Sequence, residues 1–322
     1  MKIETKIPDK HIITGGCSFT NCGNSWPYRI NQEKHGWVHN IASPGAGNSY
    51  ISRSVIYEVD RMLNEGIQPN DITVLVMWSG IDRYEVLSTK KETPMHKLYI
   101  DGNDMNWLEN FIGRPNEYKI PFEESCWLKS STRGMEWENK PVVKLFDNYF
   151  KNFYTEEESF IRSLENMLRL QWYLEGKDIK FKFMTWQNIF NKYRCKIPKG
   201  YPLGGQELIG HDIWCMGWFD NEPWSPNRIW PIEHTDQISK DSLLLKDIYP
   251  NSTHLWDMID WDKWWFYEDE QVEYGGLSEW IVLGERHAWG NGVEDPGHPS
   301  EFSHEEFTKK VINVLLDRMK YV

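Results

Sequence analysis

The sequence predicts an α/β fold built on a parallel sheet. Short runs rich in β-branched residues alternate with helix-periodic segments through the first hundred residues. Each of the first two such runs empties into a loop containing glycine. The third run, residues 71–77 (DITVLVM), is almost continuously apolar, as expected of a strand covered on both faces. A β-loop-α-β-loop-α-β order of this kind implies parallel strands joined by right-handed crossovers.

Residues 10–14 (KHIIT) form the first expected strand and run into the glycine turn Gly15-Gly16-Cys17-Ser18. Residues 25–31 (SWPYRIN) suit a first helix, with Pro27 in an early turn where its missing N–H costs little. Residues 37–42 (WVHNIA) are the second strand, ending in the loop 43–48 (SPGAGN). Residues 50–64 carry Ile51, Val55, Val59, Met62 and Leu63 at helical spacing. Beyond the third strand the period is lost until residues 156–176, where Phe160, Ile161, Leu164, Met167, Leu168 and Trp172 form one stripe. Residues 179–186 (IKFKFMTW) are a fourth strand, and 253–258 (THLWDM) suit a fifth. Residues 303–320 close the chain as an amphipathic helix with Ser303 at its N-cap. Without repeats or low-complexity linkers, the pattern fits a single domain over 1–322 carrying two long irregular insertions at about 86–150 and 190–250.

Hydrophobic residues make up 40% and charged residues 26% of 322, enough for a large buried core. Lys plus Arg total 36 against 48 Asp plus Glu, a net charge of −12. Such a chain repels phosphate backbones and anionic membranes, so no nucleic-acid partner is expected. No run reaches the roughly 18 apolar residues of a membrane span, and MKIETKIPDKHII lacks a signal-peptide core. A soluble, cytoplasmic protein is therefore expected. The five cysteines lack zinc-ribbon spacing and read as reduced thiols. Cys17 and Cys22 are near each other, but no second pair stands at finger spacing, so neither a metal nor a cofactor is expected. Of 18 tryptophans, 15 lie beyond position 100; most belong to the core, and some suit the floor of a sugar-binding cleft.

In an open parallel sheet, ligands bind beyond the carboxyl ends of the strands. Loops 15–20, 43–48 and 78–83 fall there, and Asp295-Pro296-Gly297-His298-Pro299 is a further candidate from the far end of the chain. Ser18, in a tight turn just after a strand, can hold a hydroxyl at the sheet edge with backbone N–H groups aimed at an oxyanion. A turn or helix-cap serine occupies the same kind of position. Asp295 and His298, three residues apart across Pro-Gly, can set a carboxylate beside an imidazole and orient it as a general base. Together with Ser18 they have the parts of a nucleophile–base–orienter triad. His11, His35 and His39 flank strands and read as packing or surface residues, while His211, His234, His254, His287 and His304 lack ligand spacing.

These blocks resemble the SGNH (GDSL-type) hydrolase superfamily, mostly esterases, lipases, deacetylases and thioesterases. Gly16-Cys17-Ser18-Phe19 stands where that family has Gly-Asp-Ser-Leu. Asn40-Ile41-Ala42-Ser43-Pro44-Gly45 is similar to its second block, and Asp295-Pro296-Gly297-His298-Pro299 to its last. The resemblance covers roughly residues 10–85, 155–187 and 293–320. It implies a three-layer α/β/α fold with a five-stranded parallel sheet of flavodoxin-like order. It also implies Ser18 as nucleophile, His298 as base, Asp295 as orienter, and the N–H groups of Ser18 and Gly45 in an oxyanion hole.

The family's third block, Gly-x-Asn-Asp, is not matched. Here Trp78-Ser79-Gly80-Ile81-Asp82-Arg83 puts Ile81, or with a one-residue shift Asp82, where the family has its oxyanion-binding Asn. Losing one such donor typically costs about 100- to 1000-fold in turnover. Asn48 on the neighbouring loop is the first expected replacement, with the Ser79 hydroxyl as another. Ser79, Asp82 and Arg83 are candidate substrate-binding residues: Arg83 can hold a substrate carboxylate or pair with Asp82 or Glu85. Cys17 is expected to point away from Ser18. The expected activity is hydrolysis of a small-molecule or carbohydrate ester, such as an O-acetyl group, through an acyl-enzyme. The alternatives are a catalytically retired binding module on the same core and acyl transfer to a polysaccharide.

Overall fold

The computed structural model describes residues 9–21, 24–88, 126–130, 140–196, 207–210, 243–269, 272–284 and 298–320. Its centre is a parallel sheet of β1 (His11–Gly15), β2 (Trp37–Asn40), β3 (Ile72–Trp78) and β6 (Lys180–Thr185) in the order β2-β1-β3-β6. In register, Ile13 lies opposite His39 on one side and Val74 on the other, and Val76 lies opposite Phe183. Ile12, Ile13 and Thr14 are all buried, so side chains on both faces of β1 are covered. The chain steps from β1 outward to β2, then back across β1 to β3. Right-handed crossovers therefore lay the two connections on opposite faces, giving an α/β fold with helices around the sheet.

The 17-residue helix α1 (Asn48–Asn64) buries Ile51, Val55, Val59 and Met62, close to a three- or four-residue spacing. Helix α2 (Lys140–Asn152) precedes α3 (Glu156–Gly176). The Thr155 hydroxyl accepts the Glu158 N–H at 3.1 Å and caps α3, and Glu156, Glu157 and Glu158 in the first turn complement the positive end of its dipole. Arg169 of α3 donates to the Ser52 hydroxyl of α1 at 3.1 Å, tying the two helices together. The last helix begins as α4 (Glu301–Phe307) and continues through a π-turn (Thr308–Ile312) into Asn313–Met319. Its Phe307 ring meets Trp265 and Trp280 edge-on, with centroids 5.3 and 5.2 Å away.

Three expectations are corrected. Residues 253–258 are not a strand: Pro250 opens a 3-10 turn (Pro250–Ser252) that runs directly into the helix Thr253–Asp257, burying Trp256. The fifth position of the sheet is held by a single parallel bridge, Phe183 to Trp264, with the Trp265 N–H donating to the Phe183 carbonyl at 2.8 Å. Asp260 caps the 3-10 turn Trp261–Lys263 just before that bridge, which keeps the approach coiled rather than extended. The expected first helix is a 3-10 turn, Trp26–Arg29, with Pro27 near its start. Ser300, not Ser303, caps the last helix, accepting the Ser303 N–H at 3.1 Å, while Ser303 is buried.

Both expected insertions open with antiparallel strands. β4 (Tyr84–Ser88) follows β3 closely and pairs with β5 (Cys126–Ser130). β7 (Asn191–Lys196) follows β6 and pairs with β8 (Glu207–Gly210) and with Leu243–Leu244. Each insertion therefore leaves the sheet at its carboxyl edge. No helix among the described residues is long and apolar enough to cross a membrane.

Candidate functional site

Ser18, Gly45 and Asp82 follow β1, β2 and β3, so all three lie beyond the carboxyl edge of the sheet. The turn after β1 is tight. A Cβ on Gly16 would overlap the Thr20 hydroxyl and come 3.1 Å from the Met77 carbonyl, so only glycine lets the chain bend there. The N–H groups of Thr20 and Asn21 close one turn on the Cys17 carbonyl at 3.0 and 3.1 Å. Within it Cys17 is fully buried and Ser18 half-buried. Among the described residues the Ser18 hydroxyl and N–H take part in no hydrogen bond.

The second loop is a type II turn in sequence and geometry. Pro44 precedes Gly45, Gly45 has φ +72°, and the Ala46 N–H closes on the Ser43 carbonyl at 3.0 Å. Such a turn leaves the N–H of its third residue outside its own hydrogen bond, and Gly45 N–H has no partner among the described residues. The two loops are joined directly by the Ser43 N–H donating to the Gly16 carbonyl at 3.1 Å. Asn40 is a second brace. Its Nδ2 donates to the Thr20 carbonyl and to the Tyr28 hydroxyl at 2.9 Å each, and its Oδ1 accepts from Thr14 and the Ala42 N–H.

His298 reaches this edge from the other end of the chain. Its ring packs on Phe19 with centroids 5.0 Å apart, and Phe19 stacks on Trp186, just past β6, at 4.3 Å. No hydrogen bond joins His298 to Ser18 among the described residues; such bonds are often long before a substrate binds. The segment after His298 is anchored to the segment after Ser18. Asn24 Nδ2 donates to Glu301 at 2.6 Å, Arg29 pairs with Glu301 and Glu305, and the Thr308 hydroxyl donates to the Trp26 carbonyl at 3.2 Å. Asp295 lies outside the described residues, as does Cys22.

Asn48 requires a correction. It is buried; its two Nδ2 hydrogens serve the Ser79 carbonyl at 3.2 Å and the Ser163 hydroxyl at 3.1 Å, and its Oδ1 accepts the Ser79 N–H at 2.9 Å. Every polar position of the amide is engaged, so it clamps β3 to α1 and α3 and has no hydrogen left for an oxyanion. Ser79 is also fully buried, and its hydroxyl has no partner among the described residues. Arg83 makes no ion pair with Asp82 or Glu85; its Nη1 donates to the Ala46 carbonyl at 3.2 Å. Glu85 instead accepts the N–H groups of Gly47 at 2.6 Å and Tyr50 at 3.2 Å, placing a carboxylate at the positive end of α1.

Sequence reasoning overlooked Phe19 and Trp186 as site residues, and Glu279 entirely. Glu279 is fully buried and accepts the Asn188 N–H at 3.0 Å and the Gly276 N–H at 2.7 Å, with burial pushing its pKa up to about 7 against those two donors. It fastens residues 276–279 to the loop after β6, where Ser278 also donates to the Trp186 carbonyl at 2.7 Å. A Glu three residues after the glycine that opens a helix is half of a capping box, and that spacing was the available signal. His35 is buried as well, and burial together with nearby Lys320 holds its pKa down at about 4. Among the described residues no cluster of His, Cys, Asp and Glu could hold a metal ion.

No family model matches the chain, and neither a curated protein nor a solved structure matches it.

Proposed function

We propose that the chain is a serine hydrolase of the esterase or deacetylase kind, similar to SGNH hydrolases. Ser18 is its nucleophile, His298 its general base and Asp295 the residue that orients the base. The observation that carries this reading is the packing of the His298 ring on Phe19, the neighbour of Ser18, with the Ser18 hydroxyl beyond the end of β1 and without a hydrogen bond among the described residues. His298 takes the Ser18 proton as Oγ attacks the acyl carbon. The tetrahedral oxyanion is met by the N–H groups of Ser18 and Gly45, and collapse expels the alcohol, protonated by His298. Water, deprotonated by His298, then releases the acid from the acyl-enzyme. The Trp-rich composition favours a sugar-bearing ester.

A panel of p-nitrophenyl esters tests this. Turnover by the wild type that is lost in Ser18→Ala supports it, and equal rates in both defeat it. One observation favours a second reading, a retired hydrolase core used for binding. The Asn48 amide is fully engaged, so the missing third-block donor is not replaced from that loop. Absence of turnover on every ester, with the fold intact, selects that reading. Acyl transfer uses the same triad and is distinguished by adding a sugar acceptor and following acylation of it.

A further inference from the structure

Arg83 stands between two acids in sequence, Asp82 and Glu85, yet its guanidinium pairs with neither. The Glu85 carboxylate is turned onto the N–H groups of Gly47 and Tyr50 at the start of α1. Arg83 runs alongside the same loop: its Cβ would lie 3.0 Å from a Cβ built on Gly47, and its Nη1 reaches the Ala46 carbonyl at 3.2 Å. That single bond fixes the guanidinium one residue from Gly45. A guanidinium carries five N–H donors, so four remain unengaged among the described residues. The residue is half-buried, where partial desolvation strengthens its attraction for an anion.

The loop it grips is the one joined to the Ser18 turn through Ser43 and Gly16. A chain of net charge −12 repels anions in general, so a cation with no acid partner among the described residues, beside the proposed oxyanion loop, has a selective effect. The planar fork of arginine matches a carboxylate with two parallel N–H···O bonds, which a lysine cannot form. We infer that Arg83 is a specificity-determining residue that receives a carboxylate on the substrate, making this site selective for anionic esters. The inference rests on the hydrolase reading above and names its substrate class.

The test uses two chromogenic esters, 4-acetoxy-3-nitrobenzoate and its uncharged methyl ester, with each rate taken relative to alkaline hydrolysis of the same compound. The wild type should favour the anionic ester in kcat/KM by about 10-fold or more, the range of a charge-assisted hydrogen bond. Arg83→Ala should collapse that ratio, and Arg83→Lys, which keeps the charge but loses the fork, should retain part of it. A wild-type ratio near one, or a ratio that survives Arg83→Ala, overturns the inference. An equal fall on both esters assigns Arg83 to holding Ala46 in place and also overturns it. If neither ester is cleaved, the hydrolase reading fails by itself, and calorimetric binding of 4-hydroxy-3-nitrobenzoate decides the carboxylate site. Wild type binding about 10-fold more tightly than Arg83→Ala sustains the site, and equal binding removes it.

Discussion

The two loops that follow β1 and β2 are similar in composition, each a short run of Gly, Ser and small residues at the same edge of the sheet. They use their polar groups in opposite ways. Around the second loop, the side chains of Asn40, Asn48, Arg83 and Glu85 all bond to backbone groups and fix its path. In the first loop the backbone turn is held by glycine, by its own carbonyls and by Asn40 and Ser25 donating to the Thr20 carbonyl, while the Ser18 hydroxyl is left without a hydrogen bond among the described residues. A polar side chain whose donors and acceptors are all engaged is scaffold, while one positioned by the fold and left unengaged can act on a ligand. By that criterion Ser18 belongs to the second group and Asn48 to the first, although the family resemblance implies Ser18 as nucleophile and the unmatched third block suggests Asn48 as a donor.

The largest effect that sharpens this contrast is on turnover. Ser18→Ala and His298→Ala should each lower ester hydrolysis by about 10⁴-fold or more, while Ser18→Ala moves folding stability by less than about 0.5 kcal/mol in a denaturant titration. Glu279→Ala should behave oppositely, costing about 3 kcal/mol of stability because the buried N–H groups of Asn188 and Gly276 lose their acceptor. Asn48→Ala should cost about 2 kcal/mol, since the Ser79 N–H and carbonyl are left unpaired in a buried setting. Stability unchanged by Asn48→Ala would break the comparison. Gly45→Ala should cost about 1–2 kcal/mol through its φ of +72° alone.

The smallest net effect is in the pH profile of unfolding, where two buried groups oppose each other. Glu279 has its carboxyl raised from 4.5 to about 7 in the fold, so the folded state holds the proton more tightly. Its contribution to stability is complete below about 4.5 and is lost as pH rises toward about 7. His35 is held down at about 4 from 6.5, so the unfolded chain takes the proton first. Stability from that source is present above about 6.5 and declines as pH falls toward about 4. The two contributions oppose each other over nearly the same range, so Glu279→Gln should remove the decline and leave stability rising with pH between about 4 and 6.5, as read by urea midpoints.

The strands and long helices were legible because burial imposes a period on sequence: Ile51, Val55, Val59 and Met62 announce α1 on their own. The segment 253–258 misled because its apolar run is short, and the helix is imposed from outside it by Pro250 and by the packing of Trp256 on Phe190 and Trp261. The turn at Gly45 is encoded locally, because Pro-Gly specifies it. The role of Asn48 was not, because its partners Ser79 and Ser163 lie 31 and 115 positions away and nothing near Asn48 encodes them. The ion-pair alternative for Arg83 fails for the same reason, since the Glu85 carboxylate bonds elsewhere and the acceptor of Arg83 is a backbone carbonyl on another loop. Glu279 carries its capping-box spacing in the sequence, but its burial is set by a loop some ninety residues earlier in the chain.

Labelling with a fluorophosphonate probe tests the division between reagent and scaffold most directly. Displacement of fluoride by the Ser18 oxygen, with the proton passing to His298, should give one adduct by intact mass and place it on Ser18 by peptide mapping. The adduct should vanish in Ser18→Ala and form far more slowly in His298→Ala. A folded wild-type protein that takes up no probe, or carries it on another residue, would contradict the account.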